Sequence, residues 1–371
     1  MEHRSLSKKQ RLTYGIYQLL DDFLGRKRVY KMLGKRREKF HSNLFKTIKA
    51  KGEGRVIPIE RRKFINAEEF RSGYLVKGKP VVLEGVAKDW ACVKEWSLDY
   101  LKEQCGNDDI VLYAQRNDKH LKREEYEILK LSDIIDNIYA GGKRYYRHYP
   151  FLHKHPELCK DFDMEMLHSL RSKYKWADSL EAYIGGKDTP THMHNEALGV
   201  LFTQVHGEKK WTLYPPEYSM VLDPEPAKNV YRTPYVKPGT LMFNPHEPDY
   251  EVYPECNYLD RYETTLRPGD ILWTPPYYWH EVVNTCNSIG VAYKWFSLSL
   301  NFTIAPFYTF LDVMARHPPI WKSLKLFKQD FNQIILSDRG KLKAYLKDKT
   351  EKEKQQNAKP AMAYSRGVER R

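Results

Sequence analysis

The chain has 371 residues, 41% of them hydrophobic and 13% aromatic, with 27 tyrosines. Such content excludes wholesale disorder and allows one large domain with appendages, or two small ones. No apolar run is long enough to cross a bilayer, the N-terminus lacks the apolar core and cleavage site of a secretory signal, and five scattered cysteines without a C-x-x-C pair exclude a disulfide framework and point to reduced thiols in a cytoplasmic setting.

The net charge of +14 is uneven. From Met1 to Arg55 sixteen Lys and Arg face five Asp and Glu, a net of +11; from Arg339 to Arg371 eleven face four, a net of +7; the middle is therefore at −4. The flanks are either solvated helix faces and a solubilising tail, or arms that touch nucleic acid or an anionic membrane.

In chain order, residues 10–34 repeat apolar residues at helical spacing (Ile16, Leu19, Leu20, Phe23, Leu24), and a second basic helix is expected over about 35–50. Packing on the main domain is the commonest fate of such helices. Residues 1–55 therefore form a basic helical extension, and a main domain is expected over 56–300. In it, "KPVVLEGV" reads as a buried strand, "SLDYLKEQCG" as a helix capped by Ser97 and stopped by Gly106, "DIVLYAQ" as a strand, and "KLSDIIDNIYAGG" as a helix capped by Ser132. From Tyr145 short strand-like runs separated by Pro, Gly and Asp predict a mainly β sandwich or barrel. Helical patterns return over 301–346, and 347–371 is polar enough to be disordered.

The chemistry gathers in "GGKDTPTHMHNEALG". Residues two apart on a strand share a face, so His192 and His194 can aim at one ion. The third ligand is expected from a neighbouring strand, at His280 in "RPGDILWTPPYYWHEVVN", eighty-eight positions beyond His192. Gly186, His192 and His194, then Gly269, Pro275, His280 and Asn284, reproduce the spacing of the two cupin motifs. The glycine expected between Pro275 and His280 is replaced by Tyr277, and no glutamate follows the second histidine by four or five residues.

These motifs, with "FTQVHGEKKWTLYPP" and "PDYEVYPE", resemble the JmjC/cupin-like 2-oxoglutarate oxygenases over about residues 75–300, nearest to the asparaginyl hydroxylases of the factor-inhibiting-hypoxia-inducible-factor type. The resemblance implies a double-stranded β-helix (a cupin or jelly-roll barrel) with flanking N- and C-terminal helices. It also implies Fe(II), 2-oxoglutarate as co-substrate, and hydroxylation of a protein side chain or small molecule. Carried over, His192, His194 and His280 hold the metal, with His194 in the carboxylate's place. Thr189, Lys209 and Tyr146 (or Tyr145) hold 2-oxoglutarate, and the C-terminal helices make a homodimer.

A histidine in the carboxylate's place leaves the metal more electropositive and also suits zinc, with manganese a further option. Glu196 lies on the same strand parity and is a candidate to supply the carboxylate, with Asp188 a weaker one. Lys294 is a second cation that can face the cavity. Two alternatives stand beside the oxygenase. One is a three-histidine dioxygenase or zinc hydrolase that needs no 2-oxoglutarate. The other is a non-catalytic protein using its basic arms on nucleic acid or membrane.

Overall fold

The structure is a computed structural model, which describes residues 3–63, 65–113, 126–149, 155–175, 177–225 and 231–314. The chain opens with a hairpin of two helices, α1 (Lys8–Leu24) and α2 (Arg26–Lys49). The single long helix expected over 10–34 is broken at Gly25, whose φ of +83° lies in the left-handed region that glycine adopts without a Cβ clash. Ser7 caps α1, its hydroxyl accepting from the Gln10 amide at 3.2 Å.

Fifteen strands follow among the described residues. They begin with β1 (Val56–Pro58), β2 (Arg61–Arg62), β3 (Val81–Leu83), the pair β4 (Asp109–Tyr113) and β5 (Tyr126–Lys130), and β6 (Tyr145–Tyr149). The centre of the fold holds β7 (Ala177–Gly185), β8 (Pro190–Glu196), β9 (Gly199–His206), β10 (Lys209–Tyr214) and β11 (Tyr231–Arg232). The last are β12 (Arg261–Leu266), β13 (Ile271–Thr274), β14 (Trp279–Asn284) and β15 (Ser288–Phe296). One sheet runs β1-β12-β10-β14-β8-β11 and the other β2-β3-β13-β9-β15-β7-β6. The strands that carry the site pair antiparallel throughout, giving the expected jelly-roll of two facing sheets.

Three apolar layers hold the sheets. Between them lies a core that includes Tyr145, Phe202, Trp211, Val282 and Ala292. The outer face of the second sheet packs Trp273, Trp295 and Ile289 against the helices Leu98–Cys105 and Leu131–Tyr139. Covered on both sides, β15 is buried at all nine positions, which is why "SIGVAYKWF" reads as nearly continuous apolar sequence. Ser97 caps the first of those helices as expected. The second starts one residue earlier than its expected Ser132 cap, and Asp133 accepts from the Lys130 amide instead.

The outer face of the first sheet is covered by the N-terminal hairpin, with Tyr14, Leu44 and Ile48 against Met193, Tyr214 and Trp279. Two ionic clasps fasten it. Fully buried Arg37 reaches Asp21 of α1 at 2.7 Å and Asp223 of the main domain at 2.8 Å. Asp260 accepts from Arg4 and Arg55, each at 2.6 Å. Burial alone would raise the Asp260 carboxyl, yet these hydrogen bonds hold it well below the usual carboxylate range. After β15 come two helices, Leu298–Ile304 and Pro306–Met314. The remaining expected helix, the expected tail and most of the helices expected to make a homodimer lie outside the described residues. All five cysteines are free, and no described helix is long and apolar enough to cross a membrane.

Removing one partner of a buried ionic cluster strands the others. Arg37→Ala is therefore expected to cost about 3–5 kcal/mol in urea unfolding, while Lys39→Ala on the exposed side of the same helix stays within about 0.5 kcal/mol.

Candidate metal centre

β8 and β14 lie side by side, and His194 is the cross-strand partner of His280. From that pair the register slips. Val282 stands opposite Thr191, so two residues of β14 span three of β8. The extra residue is a β-bulge at His192–Met193, and it resets the alternation of the strand. Thr191, His194 and Glu196 consequently all line the inter-sheet cavity, while Met193 turns outward into the layer under the N-terminal hairpin.

The bulge redraws the expected ligand set. His192, half-buried, is not part of the group that the structure brings together. That group is His194, Glu196 and His280, all buried, with one ligand atom from each lying within 4.8 Å of the others. The carboxylate expected to be missing is Glu196. Asp188 stays outside the group, its side chain 63% exposed in the turn before β8.

Both imidazoles are oriented by main chain. His194 Nδ1 lies 2.8 Å from the His192 carbonyl, and His280 Nδ1 lies 3.1 Å from the Tyr278 carbonyl. A carbonyl can only accept, so each Nδ1 carries the proton and each Nε2 keeps its lone pair for an ion. His192 thus acts through its backbone oxygen. Trp211 stacks on the His280 ring at 5.8 Å between centroids, which further fixes its plane. Two imidazole nitrogens and one carboxylate, buried together in the small cavity between the sheets, fit a divalent transition metal.

The residues expected to hold a dicarboxylate divide. Tyr145 lines the cavity, and Thr191 donates to its hydroxyl at 3.1 Å. Tyr146, one residue on, faces the opposite side of β6 and joins the outer core. Of the two tyrosines weighed from the sequence, the second-ranked one is in the cavity. Lys209 is fully buried; its ammonium donates to Asn284 and stands 5.2 Å from the Tyr145 ring centroid. Thr189 lies in the turn before β8, donating to the Gly186 carbonyl at 2.6 Å and accepting from Asn284 at 2.7 Å. It supports Asn284 and does not line the cavity. Counted from His194 instead of His192, a threonine three residues upstream is Thr191.

Lys294 lines the cavity too, and its partners were not legible in the sequence. Its ammonium sits 3.0 Å from Glu196 and 3.2 Å from Glu181, a carboxylate that also accepts from Tyr183 at 3.0 Å. Behind Glu196, Tyr277 occupies the position where cupins carry glycine. Its φ is +65°, its amide donates to the Glu196 carbonyl at 2.7 Å, and its hydroxyl donates to Asp312 at 3.0 Å. The left-handed backbone costs about 1–3 kcal/mol, and these contacts hold it there.

The sequence profile described as a cupin-like domain matches residues 67–301. JmjC domain-containing protein D of Dictyostelium discoideum is 29% identical over 248 residues, covering 60% of this chain and 53% of that protein. Lysine-specific demethylase 8 of Danio rerio is 26% identical over 235 residues, covering 62% and 56%. tRNA wybutosine-synthesizing protein 4 of Emericella nidulans is 27% identical over 279 residues, covering 70% and 24%. The chain spans about half the length of the first two of these relatives.

Two expectations follow for metal titrations monitored by chelator competition. His194→Ala or His280→Ala should weaken divalent-metal binding by about 100-fold or more, and His192→Ala by less than about threefold. Lys294→Met removes a buried positive charge beside the site and should tighten binding by about tenfold, since a tenfold change needs only about 1.4 kcal/mol and a like charge at close range among buried groups exceeds that.

Proposed function

The chain belongs to the cupin-like domain family, and from that premise we propose that it is an Fe(II)- and 2-oxoglutarate-dependent oxygenase that hydroxylates a protein side chain or a small molecule. The observation that carries this reading is the convergence of His194, Glu196 and His280 in one buried cavity. Two imidazoles and a carboxylate are the donor set of non-haem Fe(II) oxygenases, which leaves three positions for co-substrate and oxygen. Because Glu196 stands within reach of both imidazoles, this reading is favoured over a three-histidine zinc or dioxygenase site. Nearness to the asparaginyl hydroxylases remains part of the proposal on the motif residues alone. Demethylase and tRNA-modifying names among the relatives leave the substrate open.

Charge supports a dianionic co-substrate. Among the described residues named around the cavity, Glu196 and Glu181 balance Lys294 and Lys209. A divalent ion would leave a charge of +2, which a dicarboxylate cancels. Lys209, Tyr145 and Thr191 would orient the far carboxylate by charge-assisted and hydroxyl hydrogen bonds. Phe202, Trp211 and Val282 wall the cavity with apolar surface and keep water from the reacting atoms. The bound ion would supply the redox chemistry with oxygen that couples decarboxylation of the keto acid to hydroxylation.

Anaerobic reconstitution with Fe(II), then addition of oxygen and 2-oxoglutarate, should release succinate. Glu196→Ala should abolish release, and Lys209→Met should raise the KM for 2-oxoglutarate by about tenfold or more with a smaller change in kcat. Failure of the metal-loaded protein to bind 2-oxoglutarate would overturn the proposal.

A further inference from the structure

The outward face of α1 is the more apolar of its two faces. Toward the body it presents Tyr14, Tyr17, Gln18 and Asp21. Toward solvent it presents Leu12, Ile16 and Phe23, exposed by 64%, 49% and 57%. Their spacing of four and seven residues makes one stripe. A helix packed on its own domain normally turns such a stripe inward, so α1 is mounted the wrong way round for a purely structural role. A second helix packs beside α1 and carries exposed apolar residues of its own. Phe307 lies so close to Gly15 that a Cβ there would sit 2.7 Å from its ring, and Phe310 and Met314, both exposed, follow it at helical spacing.

Cations border this stripe. Between Lys8 and Lys49 there are thirteen Lys and Arg against three Asp and Glu, and one of those acids, Asp21, is buried beneath Arg37. Lys8 and Lys9 are exposed at one end of α1, and Lys27, Arg28 and Lys31 are exposed just beyond the other.

We propose that α1 and its flanking cations form a docking surface for an anionic lipid bilayer, with the apolar stripe entering the headgroup–acyl boundary and the lysines and arginines engaging the headgroups. A suitable partner must be both apolar and anionic. A second copy of this chain would bring like charge against like. The residues after Met314 are also basic, fifteen Lys and Arg against six Asp and Glu, and so are poorly matched to cover the patch themselves. A nucleic acid would satisfy the cations and leave Leu12, Ile16 and Phe23 in water.

The test is sedimentation of the full chain with vesicles of phosphatidylcholine containing about 30% phosphatidylglycerol, beside vesicles of phosphatidylcholine alone. The wild type should bind the anionic vesicles and release as salt rises. Ile16→Glu with Phe23→Glu should lose at least about tenfold in vesicle affinity with an unchanged melting temperature, because both side chains are exposed. Lys27→Glu with Lys31→Glu should remove the preference for anionic lipid. The proposal is overturned if the wild type does not bind anionic vesicles at low salt. It is equally overturned if the Ile16/Phe23 variant binds as the wild type does, or if that variant instead loses a lipid-independent dimer in analytical ultracentrifugation.

Discussion

The candidate centre depends on one extra residue in one strand. β8 and β14 are in register at His194 and His280, and three residues further back β8 has gained one position on its partner. Without that bulge, strict alternation would place Thr191 and His194 on opposite faces, and the cavity would lose either its hydroxyl or its imidazole. With it, Thr191, His194 and Glu196 face inward together. The irregularity also frees the His192 carbonyl to hold the His194 ring. A defect in the ladder thus orders both the donor atoms and their tautomer.

The strand is braced from behind. β11 pairs with the end of β8 and brings Arg232 opposite Asn195. Arg232 pairs with Asp312 of the helix Pro306–Met314, which also accepts from Tyr277. Tyr277 stacks on Tyr308 at 5.6 Å and donates its amide to the Glu196 carbonyl. A C-terminal helix outside the barrel is therefore linked by direct contacts to the backbone of the one carboxylate in the donor set. This explains how the turn before His280 tolerates a tyrosine at positive φ. The lost conformational freedom of glycine is offset by a hydrogen-bonded and stacked aromatic side chain.

Much of the fold was legible because it is written in local patterns. The strands of the barrel follow apolar runs cut by Pro, Gly and Asp, and the helix at Ser97 follows its cap. The hairpin break at Gly25 was missed because the apolar periodicity runs through it. The site was half legible. His194 and His280 were singled out from type and spacing, Lys209 from the family resemblance alone, and Glu196 as a carboxylate of the right parity. The family motif was carried over with His192 as its first ligand, which brought Thr189 with it, and unbroken alternation then placed His192, His194 and Glu196 on one face without foreseeing the bulge. A bulge has no residue signature of its own here. The available clue was the His-x-Glu spacing of 194 and 196 together with a threonine three residues before His194. Tyr145 and Tyr146 differ only in which face of β6 they take, and that depends on pairing with β7 rather than on their own sequence.

The most direct test is to locate the ion itself. A crystal structure of the protein loaded with Mn(II), read by anomalous scattering, should place a single peak bound by Nε2 of His194 and His280 and by a carboxylate oxygen of Glu196, with the His192 ring outside the coordination sphere. A metal held by His192, His194 and His280 with Glu196 turned away would contradict the account.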